Sequence, residues 1–246
     1  MPSSPSPCSQ SGEQGSRRVS LLDVAAMTLA LEKPTPPQSS HKPATWQDYL
    51  AIRDNPALDW QRISFYQGWL WVEMGKEGPN HAAFSDLMTM IFGFWVFLHP
   101  EVVLQSYGRC LIECPDTHAC APDLVLYKGD NIPKWQPGEP RRISTERHRL
   151  PDLVGEIADT TLSLDLDEQK QLYASLGIPE YWVIDVKGCR IFAFGLGEDG
   201  RYGVIAQSQI LTGLDIALLE QTLERLNQET NTAAANWFRQ QLANHG

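Results

Sequence analysis

The chain has 246 residues, of which 42% are hydrophobic and 20% are charged, and its net charge is −10. The length suits one domain of ordinary size with appendages, and the acidic balance weighs against capture of nucleic acid by a broad basic face. Five cysteines, an odd number in a chain this long, argue against a disulfide scaffold and for a reducing compartment. No secretory signal is evident, and the most apolar segment, Leu87–Leu98, is too short to span a bilayer of about 30 Å. We therefore expect a cytoplasmic protein with no membrane partner.

The N-terminal region, residues 1–44, is rich in Pro, Ser and Gln, which predicts a mostly disordered tail. A short helix around Val19–Leu31 could interrupt this tail. Order is expected to begin at Thr45, where Thr-Trp-Gln-Asp resembles a helix N-cap followed by a short helix through Ile52.

A β-hairpin and a long buried helix are predicted next. Residues Ile63–Met74 alternate, are rich in aromatic and β-branched side chains and contain Gln67-Gly68 at their centre, which indicates two strands joined by a tight turn. From His81 to His99, apolar residues recur at three- and four-residue steps. That spacing predicts a helix that is largely buried.

Three further strands and a long loop are predicted between residues 102 and 150. The strands are expected at Val102–Ser106, Cys110–Glu113 and Asp123–Tyr127. Residues Lys128–Leu150 contain many charges, prolines and glycines, which is typical of a surface loop. The end of this loop could form a local basic patch, although a solvated loop is the favoured interpretation. Its basic residues are Arg141, Arg142, Arg147, His148 and Arg149.

The stretch from Leu150 to Asp185 is the centre of the predicted domain. A strand at Leu153–Ala158 is followed by an acidic, Thr-rich loop, a short amphipathic helix and a second apolar strand at Tyr181–Ile184. The rest of the chain is predicted to contain strands at Cys189–Phe194 and Val204–Gln207 and a helical stretch from Leu214 to about Leu242 that is broken near Asn231.

Glu156 is a carboxylate in an otherwise apolar strand, and such a group needs a partner, a metal ion or a shifted pKa. Asp123 opens another predicted strand. If the two strands are adjacent, the two carboxylates would lie within reach of one divalent cation, which is how Mg²⁺ is usually held at phosphate-processing sites. In the alternative interpretation, Asp123 is a solvated turn acid and Glu156 pairs with an arginine of the preceding loop.

The helix after the strand places polar side chains near these acids. At about 100° per residue, Gln169 lies near the centre of an apolar face and Asp165 lies on its edge. The apolar members of this face are Leu166, Leu172, Tyr173 and Leu176. Gln169 is therefore expected to point toward the sheet, either as a buried, hydrogen-bonded glutamine or as part of a site. Lys170 could reach the same site with its long stem.

The same stretch resembles a known family. The matching residues are Pro151-Asp152-Leu153-Val154, Glu156-Ile157, Asp159-Thr160-Thr161, Asp165, Lys170, Tyr173 and the specific block Gly177-Ile178-Pro179-Glu180-Tyr181-Trp182-Val183-Ile184-Asp185. They resemble the Uma2 family of bacterial proteins, which are regarded as restriction-type endonucleases with the PD-(D/E)XK nuclease fold. Upstream, Gly68, His81 and Pro122-Asp123 agree with this resemblance, which spans about Thr45 to Leu214.

The resemblance implies an α/β (α+β) fold with a mixed central β-sheet flanked by helices. The nuclease-like domain would comprise residues 45–214, with a C-terminal helical extension at residues 215–246. Asp123 and Glu156 would bind Mg²⁺ or Mn²⁺, and DNA would be the substrate. The attacking water would be oriented by Lys170 or Gln169. The supporting residues of the cleft would be Asp165, His81 and Glu73, although His81 could instead cap the helix or pack in the core and Glu73 could simply be exposed.

The sequence departs from the family pattern at three positions. The lysine that usually follows the second acid by two residues is Ala158, and the lysine that Uma2-like sequences carry in the next helix is Gln169. The glutamate that often precedes the hairpin glycine by four residues is Ser64. A missing lysine removes a cation that would stabilise charge on the phosphate.

Two functions therefore stay open. One is a Mg²⁺- or Mn²⁺-dependent DNA endonuclease. The other is a catalytically degenerate member of the family that acts as a binding or regulatory module, and that could be a homodimer through its C-terminal helix. A zinc site is a lesser candidate, because the spacing C-x3-C-x3-H-x-C is not a usual ligand pattern. Its residues would be Cys110, Cys114, His118 and Cys120.

Overall fold

The structure is a computed structural model that describes residues 39–58, 60–74 and 77–245. The helix predicted around Val19–Leu31 and the tail up to residue 38 lie outside the described residues. The strands are β1 (Ser39–Pro43), β2 (Trp60–Tyr66), β3 (Trp69–Met74), β4 (Leu104–Gly108), β5 (Ile112–Cys114), β6 (His118–Cys120), β7 (Leu124–Lys128), β8 (Ile143–Ser144), β9 (Leu153–Ala158), β10 (Glu180–Asp185), β11 (Arg190–Leu196) and β12 (Tyr202–Val204). The helices are α1 (Trp46–Arg53), α2 (Pro79–Leu98), α3 (Leu162–Leu164), a π-helical turn (Asp165–Gln169), α4 (Lys170–Leu176), α5 (Ile216–Leu226) and α6 (Asn231–His245).

The central sheet has the strand order β12-β11-β10-β9-β7-β4. Strands β9 and β10 are parallel and are connected through α3, the π-helical turn and α4, whereas the other neighbours are antiparallel. All six residues of β9 are buried, because helices cover both faces of the sheet, and a strand buried on both faces is expected to be nearly all apolar. The architecture is mixed α+β and confirms the predicted fold class.

A second sheet, of order β1-β3-β2-β6-β5-β8, carries the predicted hairpin. Gln67 and Gly68 both have positive φ, 48° and 76°, which fits the tight turns that match the twist of a hairpin. Strand β1 lies within the segment predicted to be a tail and pairs with β3, so the ordered domain begins before Thr45. Thr45 itself forms the predicted capping box with Asp48 at the start of α1.

Helix α2 packs against the central sheet as a core helix. Its buried side chains recur at helical spacing and are His81, Phe84, Leu87, Met88, Ile91, Phe92 and Trp95. Among the described residues it is the one helix long and apolar enough to cross a membrane by length and composition, so the sequence-based estimate of the apolar segment was too short. A buried stripe facing the sheet accounts for its hydropathy.

Several details differ from the sequence-based expectations. Strands β6 and β8 were not predicted, and β8 lies inside the segment expected to be a loop. Cys110 precedes β5 and does not belong to it. The last strand, β12, lies at Tyr202–Val204, ahead of the predicted position. The C-terminal helical stretch is interrupted at residues 227–230, slightly before the predicted break.

Candidate active site

Two adjacent strands of the central sheet bring the predicted acids together. Strands β7 and β9 pair Leu124 with Gly155, and this antiparallel register places Asp123 opposite Glu156. The backbone N–H of Asp123 donates to Oε2 of Glu156 at 3.3 Å. Both side chains are buried, Glu156 completely. The two residues are neighbours in the sheet, and the contact between them joins the Asp123 backbone to the Glu156 carboxylate.

Asp123 is surrounded by hydrogen-bond donors. Its Oδ2 accepts from the backbone N–H of Ile157 at 2.8 Å and lies 3.1 Å from Nε2 of His81, and its Oδ1 lies 3.4 Å from Nε of Arg109. Burial acts to raise the pKa of the Asp123 carboxyl, but the hydrogen bond and charge of His81, together with the charge of Arg62, hold that pKa below its ordinary value. Asp123 is therefore prepared to remain ionised although it is buried.

Glu77 is a third acid of the site and lies close to both Asp123 and His81. Oxygen and nitrogen atoms of Glu77, His81 and Asp123 all lie within 4.8 Å of one another, close enough to share a metal ion. His81 lies in the first turn of α2, and its Nδ1 is 3.5 Å from Oε2 of Glu77. Nδ1 of His81 is buried and has no hydrogen-bond partner in the described part of the chain. Arg109 forms an ion pair with Glu77. We call Glu77, His81 and Asp123 the ligand triad.

Glu156 has a different environment, dominated by the buried Arg62 of β2. Nη1 of Arg62 lies 2.9 Å from Oε2 of Glu156 and 3.1 Å from Oδ1 of Asp165, and its Nη2 lies 2.7 Å from Oε1 of Glu73. The hydroxyl of Tyr173 donates to Oε1 of Glu156. Glu156 is thus paired with an arginine, but with one from β2 instead of the loop preceding β9. We call Arg62, Glu73, Glu156 and Asp165 the Arg62 cluster.

The electrostatics of the Arg62 cluster oppose those around Asp123. Burial raises the pKa of Glu156 well above its ordinary value, and the charge of Arg62 only partly offsets this. Burial also raises the pKa of Asp165, against the charge of Arg62 and the hydrogen bond that Thr161 donates at 2.5 Å. The surrounding carboxylates hold the pKa of Arg62 well above its ordinary value although burial acts to lower it. Arg62 is therefore a permanent cation beside Glu156 and Asp165, two acids whose pKa values are raised.

Gln169 and Ser64, two of the residues that depart from the family pattern, contact each other. Nε2 of Gln169 donates to Oγ of Ser64 at 3.2 Å. Gln169 is buried, as its position on the helix predicted, and its Oε1 has no hydrogen-bond partner among the described residues. Nζ of Lys170 lies 3.8 Å from the centre of the Phe194 ring. The structure brings Gln169 to the hairpin and places Lys170 against Phe194, where no contact with Asp123 or Glu156 is described.

The cysteine-rich segment does not assemble a metal site in the described residues. The ligand triad is the group of His, Cys, Asp and Glu side chains that gathers closely enough there, and none of the four zinc candidates belongs to it. Burial raises the pKa values of the Cys110 and Cys120 thiols, which disfavours the thiolates that zinc requires. His118 stacks on Tyr66 and contacts Ser175 instead.

Four contributors to the site were not predicted from the sequence: Arg62, Glu77, Arg109 and Tyr173. For two of them, Arg62 and Glu77, the sequence contains a feature that could have indicated the position. A two-residue turn at Gln67-Gly68 fixes the hairpin register, which pairs Arg62 with Glu73. Glu77 lies just before α2 and four residues from His81, so the start of the helix keeps the two close along the chain. Arg109 reaches the site from a loop after β4, and no sequence pattern indicates that contact.

The fold and the site together define an α+β protein of the restriction-endonuclease-like class. A family model for Uma2, described as "Putative restriction endonuclease", matches residues 46–233. The chain belongs to the Uma2 family, as its motifs indicated. It is also similar to the crystal structure of a putative nuclease belonging to DUF820 from Anabaena variabilis ATCC 29413. That similarity has a TM-score of 0.51 at 15% identity and covers 80% of this chain and 99% of the other, so it concerns the fold. A comparison with curated proteins finds no match.

Proposed function

We propose that the protein is a divalent-metal-dependent endonuclease that hydrolyses phosphodiester bonds of DNA. The observation that supports it best is the convergence of Glu77, His81 and Asp123, with the charge of the buried Arg62 acting on Asp123. Membership of a restriction-endonuclease family supports the same reaction class. The ligand triad would hold an ion and Arg62 would supply a fixed positive charge. Phosphoryl chemistry depends most on these two elements.

The donor set of the ligand triad fits a divalent cation. Two carboxylates and one imidazole are ligands for transition ions, and the nitrogen makes Mn²⁺ a better match than Mg²⁺, which prefers oxygen ligands and water. The unpartnered, buried Nδ1 of His81 is what a metal ligand position provides. A bound ion of this kind supplies a Lewis acid for the phosphate oxygen and lowers the pKa of a coordinated water.

We assign the remaining roles to side chains according to their contacts. Arg62 would stabilise negative charge on the phosphate, in place of the lysine that is missing at position 169. Asp165 and Glu73 would hold Arg62 in position. Gln169 would orient the attacking water through its unpartnered Oε1, which favours it over Lys170. Glu156, the second metal ligand expected from the sequence, would have to give up its contact with Arg62 to bind an ion.

The decisive test is cleavage of supercoiled plasmid by the full chain with Mn²⁺ or Mg²⁺. Wild type should nick or linearise the plasmid, whereas Asp123→Asn and His81→Ala should lose at least about hundredfold in rate. Asp86→Asn is a matched control, because Asp86 is exposed on the same helix as His81. Cleavage that survives Asp123→Asn would remove the assigned site from the proposal.

A binding or regulatory module is the second candidate function. The observation that favours it is the satisfied state of Glu156, whose two oxygens contact Tyr173, Arg62 and the Asp123 amide. A wild-type protein that binds Mn²⁺ in calorimetry but cleaves no DNA would support this module. Gain of cleavage in Gln169→Lys would show that the lost lysine is the reason.

A further inference from the structure

We propose that a cleft lined by four arginines beside the ligand triad binds the phosphodiester backbone of DNA. The cleft has a volume of about 450 Å³, and we call it the arginine cleft. Its charged lining residues are Arg53, Asp54, Arg109, Arg141 and Arg142. In a chain with a net charge of −10, four guanidinium groups gather around one cleft, and carboxylates pair with three of them. The inference adds a substrate-binding surface to the proposed function and rests on it for the choice of DNA as ligand.

Two of the arginines are held in place by a buried carboxylate. Glu113 of β5 is only 3% exposed. Nη1 of Arg53 lies 2.7 Å from its Oε1, and Nε of Arg142 lies 2.5 Å from its Oε2. Tyr49 also donates to Glu113. Arg53 also forms a bidentate ion pair with Asp54. Two carboxylates therefore hold these two guanidinium groups in place, which reduces the entropy that a ligand would lose in ordering them.

Arg109 connects the arginine cleft with the ligand triad. It forms an ion pair with Glu77, and its Nε lies 3.4 Å from Oδ1 of Asp123. Its side chain remains 38% exposed. A phosphate bound in the cleft would therefore have its neighbour on the same strand close to the acids. This continuity distinguishes the cleft from a basic patch elsewhere on the surface.

Arg141 supplies a charge that no carboxylate neutralises among the residues that the structure describes. Its described contact is with the ring of Trp135, whose centre lies 5.9 Å from the guanidinium carbon. Arg141 and Trp135 are both exposed, Trp135 to 53%. A free guanidinium beside an exposed indole suits a nucleic acid, because the arginine can bind phosphate bidentately and the ring can stack on an unpaired base.

The chemistry of the cleft favours a nucleic acid over a lipid surface. Membrane-binding faces combine basic residues with exposed apolar side chains that enter the bilayer. The aliphatic side chain that lines the cleft, Leu111, is 8% exposed and faces the core of the second sheet. A concave, guanidinium-lined cleft instead offers forked donors that match phosphate oxygens.

The test is binding of a short, fluorescein-labelled DNA duplex to the full chain, followed by anisotropy at several salt concentrations with Ca²⁺ present. Arg141→Ala should weaken binding about fivefold and reduce the salt slope by about one, and Arg141→Glu should weaken it more. Arg190→Ala is the matched control, since Arg190 is an exposed arginine at the start of β11, which β10, β9 and β7 separate from β4 in the central sheet. It should change the affinity less than twofold.

Different outcomes separate this inference from the proposed function. If Arg141→Glu and wild type bind DNA equally, or if Arg190→Ala is as harmful as Arg141→Ala, the arginine cleft is not the binding surface, even if plasmid is cleaved. If DNA binding depends on Arg141 but wild type cleaves no plasmid with any metal, the cleft stands and the endonuclease does not. Binding to phosphatidylglycerol vesicles that requires Arg141, without binding to DNA, would also overturn the inference.

Discussion

Two neighbouring carboxylates in this protein, Asp123 and Glu156, occupy opposite electrostatic environments. Asp123 faces His81 and the partly exposed Arg109. Against the effect of burial, the hydrogen bond and charge of His81 and the charge of Arg62 lower its pKa. Glu156 is completely buried against Arg62, and its pKa is raised. The sequence presents the two as equivalent metal ligands, but the structure equips one to bind a cation and provides the other with a cation of its own. Substitution of Arg62 and neutralisation of each acid test this difference.

The largest effect is expected from Arg62→Met, which leaves the carboxylates of the Arg62 cluster without their shared partner. Removing one member of a buried ionic network costs about 3–5 kcal/mol, because the remaining charges stay buried. Urea unfolding of Arg62→Met should show this loss at neutral pH, and Glu156→Gln in the same chain should recover part of it. If the double variant is no more stable than the single one, Glu156 is not the main partner of Arg62.

Neutralising the two acids in turn should have different effects on the affinity for Mn²⁺. Asp123→Asn should weaken Mn²⁺ binding by about a hundredfold or more, since it removes the central member of the ligand triad. Glu156→Gln should change the affinity by only about threefold, because the Glu156 oxygens already have other partners. Calorimetry with both purified variants measures this directly. Equal losses would instead show that Glu156 leaves Arg62 and binds the ion.

Stability without metal should also respond to pH in opposite ways at the two acids. A raised pKa in the folded state means that the Glu156 contribution is present below its ordinary value of 4.5 and is lost as the pH rises toward the folded-state pKa. A lowered pKa means that the Asp123 contribution is present above its ordinary value of 3.8 and is lost as the pH falls through the folded-state pKa.

Relative to wild type, Glu156→Gln should therefore gain about 1 kcal/mol in the free energy of unfolding as the pH rises from mildly acidic to neutral. Over the same pH range, the free energy of unfolding of Asp123→Asn should stay below that of wild type by a constant amount. This difference should shrink only when the pH falls below the ordinary pKa of Asp123. Urea titrations at a series of pH values in a chelating buffer test both statements. Parallel pH profiles for the two variants would contradict the assigned environments.

The sequence predicts much of the fold because the central elements have local causes. Strand β9 is an apolar run interrupted only by Glu156, the hairpin has its turn residues, and α2 has a regular apolar stripe. Strands β6 and β8 have three and two residues, and they exist only because β2 and β5 offer them edges. Strands this short carry too little alternation for a local pattern to indicate them, and β6 and β8 also depend on pairing with β2 and β5.

The sequence likewise predicts some parts of the candidate site and not others. The proximity of Asp123 and Glu156 followed from two strands, and the inward position of Gln169 followed from helical periodicity. The pairing of Glu156 with Arg62 did not, because it joins residues 94 positions apart in different sheets. The contact between Gln169 and Ser64 brings together two positions at which the sequence departs from the expected lysine and glutamate, and no local pattern indicates it.

The smallest effect is expected from Lys170→Ala, and this substitution tests which residue replaces the missing lysine. Lys170 lies over the Phe194 ring, so its removal should cost about 0.5–1 kcal/mol of stability, the value of a partly exposed cation–π contact. Plasmid cleavage and Mn²⁺ affinity should stay within about twofold of wild type, because the positive charge beside the acids belongs to Arg62. Gln169→Leu, which keeps the buried volume but removes the amide, is the matched comparison and should reduce cleavage more. A large loss of cleavage in Lys170→Ala with unchanged stability would show instead that the lysine turns toward the acids when DNA is bound.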